Sequence, residues 1–192
     1  MRAVLVSTAC GFALSGCRAA PPTKPSDRQT ATTQPSTPEQ DMTIPEITPA
    51  EAKKLLDENN GYVYLDVRSV AEFLAGHAPG AMNIPIAEPN PATGQMEPNP
   101  DFLSVVEATI PRDAKLIVGC KSGGRSARAC GILDRAGYTN PHNLVGGFGG
   151  AVDPAGEIVA KGWSMLGYPV ERGEGGERGY KSLAAKTKSD AR

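Results

Sequence analysis

Residues 120–126 read Cys-Lys-Ser-Gly-Gly-Arg-Ser, and they hold the residue types that nucleophilic sulfur chemistry needs. A thiol stands at the head of a turn rich in glycine. Gly123 and Gly124 permit a tight backbone path that aims amide N–H groups inward. A helix expected over 126–136 adds the positive end of its dipole. Lys121 and Arg125 supply further positive charge, and Ser122 and Ser126 complete the loop. Each feature favours the thiolate of Cys120 over the thiol and makes it nucleophilic. The same cradle would stabilise a persulfide anion and attract a small anionic donor such as thiosulfate. If this field lowers the thiol pKa, no histidine base is required. The competing explanation is a buried structural cysteine, since free Cys is often fully buried. A strand-end position facing a Gly-rich turn fits that explanation poorly.

The other reactive residue types have plainer roles. Asp66 and Arg68 are expected to form a hydrogen-bonded network under the loop, with Arg68 divided between structural and substrate-facing roles. His77, in Gly-His-Ala-Pro-Gly-Ala, reads as a turn histidine bonded to backbone. His142 follows Pro141 in an expected loop and carries no assignment. Cys130 falls on the helix after the loop, as a core residue or a resolving thiol. Trp163 reads as a core or lid residue. The chain has four Cys and two His with no C-x-x-C pair, so a Cys/His zinc site is not expected, nor is any metal or organic cofactor.

These residues need a frame. Thr48-Pro49-Ala50-Glu51 opens a helix by capping box and by Pro at its first position, running to about Glu58. Tyr62–Val67 is a short buried strand. Ser69-Val70-Ala71-Glu72 repeats the capping box before a short helix. Asn99-Pro100 opens another helix through about Thr109. Lys115–Gly119 is a second buried strand, Ser126–Ala136 a helix closed by Gly137, and Asn143–Val145 a third strand. Strands separated by helices imply an α/β fold with a parallel sheet covered by helices on both faces. In such sheets a ligand sits beyond the carboxyl ends of the strands, which is where Cys120 falls.

The ends of the chain differ in character. Arg2 precedes an apolar run from Ala3 to Leu14, the layout of a signal peptide over residues 1–16. Leu14-Ser15-Gly16-Cys17 resembles the lipobox of bacterial lipoproteins, which implies lipid on Cys17. The run is too short for a stable membrane span. Residues 17–42 are dominated by Pro, Thr, Ser and Gln and are expected to form a disordered tether. At about 3 Å per residue it could hold a domain tens of ångströms from a membrane. Arg18 after the lipidated position implies, by the same resemblance, a lipid-anchored place in the cell envelope, at the outer membrane and periplasmic face if the envelope is Gram-negative. Residues 43–171 form the folded domain. Residues 172–192, charged and Gly-rich, are expected to be a mobile tail. The net charge of −1 argues against nucleic-acid binding.

Three ordered blocks resemble the rhodanese family across about residues 44–170. Residues 65–86 look like its first signature, with Asp66, Arg68, Glu72, Phe73, Gly76, His77, Pro79, Gly80, Ala81, Asn83 and Pro85 in place. Residues 117–130 look like its active-site signature. Gly146-Gly147, Trp163 and Gly167–Val170 resemble its closing segment. The resemblance implies a sulfurtransferase that moves sulfane sulfur from a donor to cyanide or a thiol through a Cys120 persulfide. Cys-based phosphatases and arsenate reductases use C-x5-R. Here Cys120 to Arg125 is C-x4-R, a smaller cradle suited to sulfur. Two stretches depart from the compact pattern: a Pro-rich connection at 86–100, and residues 148–162, where Asp153-Pro154-Ala155-Gly156 marks a possible hairpin turn. Either could wall the pocket. The rival functions are a non-catalytic binding or sensing module and a thiol-redox protein using Cys120 with Cys130.

Overall fold

A computed structural model describes residues 44–189 of the chain. The signal-peptide, Cys17 and tether expectations lie outside the described residues. The described elements run β1 (Glu46–Ile47), α1 (Pro49–Asp57), β2 (Tyr62–Asp66), α2 (Val70–Ala75), β3 (Met82–Asn83), β4 (Ala87–Pro89), β5 (Met96–Pro98), α3 (Phe102–Thr109), β6 (Lys115–Gly119), α4 (Gly124–Arg135), β7 (Pro141–Leu144), β8 (Ala151–Val152), β9 (Ile158–Ala160) and α5 (Tyr180–Ser189). Five strands form one sheet in the order β1-β7-β6-β2-β3, and every pairing in it is parallel. The α/β expectation holds. The short edge strands β1 and β3 carry too little pattern to be read from sequence.

Alternation along the central strands builds two cores. Leu65, Val67, Leu116 and Val118 pack on one face with Phe102 and Val106 of α3 and Ala129 and Leu133 of α4. Tyr64 and Ile117 face the other way, among Ala52, Phe73 and Trp163. Both capping boxes form. Thr48 and Glu51 exchange backbone bonds at the start of α1, and Ser69 and Glu72 do so at α2.

Four expectations need correction. The helix after the reactive loop starts at Gly124, two residues earlier than expected. Glycine propensity argued against those positions, but Gly123 at φ +114° turns the chain straight into the helix. α3 begins at Phe102 because Asn99 Oδ1 accepts from the Asp101 N–H and holds an Asx turn there. His142 lies in β7 opposite Ile117, not in a loop. Finally, the expected mobile tail carries a helix: α5 packs against α3, with Leu183 only 2% exposed. Tyr180, Leu183 and Ala184 recur at helical spacing and join the first core. Three apolar residues are enough to dock a helix when a core already has a gap for them. Leu183→Ala is expected to destabilise the fold by about 2–4 kcal/mol, read as a lower urea midpoint. An unchanged midpoint would mean α5 does not contribute to the cooperative unit.

The two departures also take form. Residues 87–98 pair as the antiparallel hairpin β4–β5, although their Pro content suggested an irregular connection. Residues 151–160 pair as β8–β9 around the expected turn.

Candidate active site

The register of the sheet creates the site. Asp66 at the end of β2 lies opposite Gly119 at the end of β6. Asp66 and Cys120 therefore leave the sheet at the same edge. Cys120 is 1% exposed. Its Sγ accepts from the Gly123 N–H at 3.1 Å and lies 3.4 Å from Ser126 Oγ.

Why the loop amides point inward is visible in its carbonyls. Cys120 O accepts from the Phe148 N–H and Lys121 O from the Gly149 N–H, both at 2.7 Å. With these carbonyls tied outward to the segment after Gly146-Gly147, the Ser122 amide, which shares a peptide unit with the Lys121 carbonyl, faces the sulfur. Gly147 allows this approach. Its φ is +54°, and a Cβ there would overlap the Cys120 carbonyl oxygen and sit 2.8 Å from Lys121 O. Gly123 also needs its left-handed backbone. Gly124 does not: its backbone is helical and a Cβ would meet open space. Of the two loop glycines, only Gly123 makes the turn.

The electrostatics follow. Burial pushes the Cys120 thiol up, but hydrogen bonds from the Ser126 hydroxyl and from the Ser126, Gly123 and Ser122 amides outweigh it. The net result is a thiol held below its ordinary range. Cys130 has only its own backbone amide as a donor. Burial pushes its pKa up to about 12, and its side chain lies wholly inside the first core. Cys120 and Cys130 are both free thiols.

Arg125 turns away from the role of a free cation. Its Nη1 and Nη2 donate to the two Glu72 oxygens at 2.6 and 2.8 Å, a bidentate pair linking α4 to α2. Burial opposes ionisation of Glu72, yet the bonds from Arg125 and Ser69 hold its carboxyl at about 2. Glu72 thus has two tasks, capping α2 and holding Arg125. The capping-box pattern revealed only the first. Lys121 is exposed and has no ion pair among the described residues, so it is the loop's freer positive charge.

Asp66 and Arg68 do form a network at the site. Arg68 donates to both Asp66 oxygens, with Nη2 at 2.6 Å, and to Gly76 O at 2.7 Å. Its guanidinium also stacks 4.1 Å from the Phe148 ring centre. Arg68 is therefore mainly a brace joining β2, α2 and the Gly146–Gly150 segment, although it borders a cleft of about 370 Å3. Glu72, Gly76, Lys121, Phe148 and Ser164 also line that cleft. Phe148 and Ser164 bring the 148–162 stretch and its flank to the rim. The 86–100 hairpin meets the start of α2 instead, where Glu88 Oε1 accepts from the Val70 N–H at 2.7 Å.

The remaining candidates are structural. His77 Nδ1 lies 2.8 Å from Phe73 O and its ring stacks on Phe73. Trp163 is 1% exposed and donates to Pro169 O at 2.8 Å.

Comparison with known proteins places this geometry. A profile of the Rhodanese-like domain matches residues 48–152. Thiosulfate sulfurtransferase 16, chloroplastic, of Arabidopsis thaliana is 46% identical over 88 residues, covering 46% of this chain and 72% of that protein. Protein HIGH ARSENIC CONTENT 1, mitochondrial, of the same plant is 41% identical over 95 residues. That match spans 50% of this chain and only 55% of that relative. Among solved structures, Rv0390 from M. tuberculosis is 31% identical with a TM-score of 0.56, over 69% of this chain and 100% of that one. Since the profile takes in more than half of the chain and includes both the Asp66 and the Cys120 strand ends, the chain belongs to the rhodanese-like domain family.

Proposed function

We propose that this protein is a thiosulfate sulfurtransferase working through a persulfide on Cys120. The observation that carries the reading is a buried sulfur ringed by hydrogen-bond donors and held below the ordinary thiol range. Relatives named as thiosulfate sulfurtransferases support it. The Cys120 thiolate attacks the outer sulfur of thiosulfate. The S–S bond of the donor breaks and sulfite leaves with the electron pair. The persulfide anion rests on the loop amides, then passes its terminal sulfur to cyanide or a thiol and restores the thiolate. Lys121 draws the anionic donor to the cleft. Arg125, held by Glu72, fixes the first turn of α4 and adds a screened positive charge. Asp66 and Arg68 brace β2 against Gly76 and the ring of Phe148, whose N–H in turn holds the Cys120 carbonyl.

The test is incubation with thiosulfate followed by intact mass and by thiocyanate release on adding cyanide. One added sulfur on the wild type is expected. Failure to load sulfur from any of several donors would overturn the reading. The pH dependence has a definite sign. Because the folded thiol is lowered, the thiolate is present at lower pH than in a free cysteine. The rate should rise with pH and level off, with its midpoint below about 8.5. A midpoint at or above that value would contradict a lowered thiol.

We further propose that Cys17 carries lipid and that residues 17–42 tether the domain in the cell envelope. The Leu14–Cys17 pattern supports this. Metabolic labelling with a fatty acid should mark the wild type and spare Cys17→Ala. Equal labelling of both would exclude Cys17 as the attachment point.

A further inference from the structure

Ser126 is the only side-chain donor at Cys120 Sγ among the described residues, and its hydroxyl is over-subscribed. Oγ lies 2.9 Å from Gly123 O, 2.7 Å from Asn143 Oδ1 and 3.4 Å from Cys120 Sγ. All three are acceptors, and a hydroxyl has one proton. Gly123 O already accepts from the Ala127 N–H at 2.9 Å, so it does not need Ser126. The contest lies between Asn143 and the sulfur. Asn143 stands on β7, 5% exposed, opposite Val118 and on the sheet face that carries α4. Its Nδ2 meets no acceptor among the described residues. A half-turn of its carboxamide exchanges two groups of nearly equal size and presents an NH2 to Ser126. Oγ would then accept from Asn143, and its proton would be free for the sulfur.

We propose that Asn143 is a positioning residue for Cys120: with its NH2 toward Ser126 it directs the Ser126 proton onto the charged sulfur, and with its oxygen there it withdraws that proton. This rests on the reading of Cys120 as the reactive thiol and adds a control element to it. The first arrangement suits a thiolate or persulfide anion, since a hydrogen bond to a charged acceptor is stronger than one to a neutral acceptor. The second suits the neutral thiol. No bond breaks; one amide rotates and one hydroxyl turns.

Tyr64, Cys130, Arg125 and Glu72 hold their charge while Cys120 titrates. Burial raises Tyr64 on β2 and Cys130 on α4, Cys130 to about 12. The Glu72 hydrogen bond raises Arg125, and Glu72 itself lies at about 2. Lys121 is the exposed cation of the loop. On β7, His142 is directed to the opposite face of the sheet and rests against Tyr62. Glu46 of β1, level with Asn143, is exposed.

The experiment is the pH profile of Cys120 alkylation by iodoacetamide in the full chain, read on the Cys120 peptide by mass. It needs no sulfur transfer. Asn143→Asp offers only acceptors and should raise the midpoint by about one pH unit. In a Ser126→Ala background the same change should move it by less than a third of that. Equal shifts in both backgrounds, or none in either, would overturn the proposal, since a bare charge effect does not pass through Ser126. Asn143→Ala is the parallel variant if the aspartate does not fold. It removes the competing acceptor together with the donor and should move the midpoint by about half a unit in either direction with Ser126 present and leave it unmoved without. A wild-type midpoint at the ordinary thiol value would instead sink the reading of Cys120 itself, a result separate from the coupling.

Discussion

Cys120→Ser should reduce sulfur transfer from thiosulfate to cyanide to background, a loss on the order of a thousandfold or more, while Cys130→Ala retains transfer. A serine hydroxyl stays protonated where the lowered thiol ionises, and it forms no persulfide. A thousandfold loss corresponds to about 4 kcal/mol of transition-state stabilisation. The contrast with Cys130 follows from environment. Both thiols are buried, but Cys120 meets the Gly123 N–H and the Ser126 hydroxyl, whereas burial holds Cys130 at about 12. Cys130→Ala removes one core atom and should cost about 1 kcal/mol of stability through the small cavity. Thiocyanate release measures the first effect, and a urea titration measures the second. Comparable transfer by Cys120→Ser and wild type would remove the proposed mechanism. Loss of transfer in well-folded Cys130→Ala would revive the thiol pair as a working unit.

The second large effect is expected away from the thiol. Gly147→Ala should destabilise the fold by about 3 kcal/mol or more and abolish transfer in what remains folded. The left-handed backbone costs an alanine about 1–2 kcal/mol. The larger share is steric: the added Cβ would run into the Cys120 carbonyl and Lys121 O, which are backbone atoms and cannot step aside as a flexible side chain does. Relief requires parting the 146–150 segment from the loop. That breaks the Phe148 and Gly149 bonds to the Cys120 and Lys121 carbonyls and lets the cradle amides turn. For a domain of this size, 3 kcal/mol is roughly a 6–12 °C fall in Tm. Gly124→Ala is the matched control. Its Cβ meets open space and its backbone is helical, so Tm should hold or rise slightly, by about 0.5 kcal/mol in stability. Equal melting of the two variants would mean that the close approach at Gly147 does not govern the loop.

Residues that act within one short segment were legible without the fold. The Cys120–Ser126 loop, the Thr48 and Ser69 capping boxes and the core strands Tyr62–Asp66 and Lys115–Gly119 each carry their signal in neighbouring positions. Turn chemistry, capping and apolar runs are local physics, and local physics is written in local sequence. The parallel sheet followed from alternation, and the choice of Cys120 as the candidate reactive thiol from its place at a strand end. The ends of elements were less legible. Glycine at 124 argued against helix, and Gly123 overrode that by its backbone. Residues 172–192 looked too polar to fold, but burial needs only Leu183 and its neighbours once α3 offers a surface.

What the tertiary structure alone decided is how charge and protons are shared around Cys120. Arg125 and Glu72 are 53 residues apart, and only the packing of α4 beside α2 makes them a pair. Asn143 reaches Ser126 only because β7 lies next to β6 in the sheet. Gly147 matters only because it touches the carbonyl of Cys120. Spacing along the chain singled out Cys120 as the candidate nucleophile, since a thiol, a turn and a helix start are consecutive. Its partners come from distant segments, and no distance along the chain encodes which of several polar residues will meet in space.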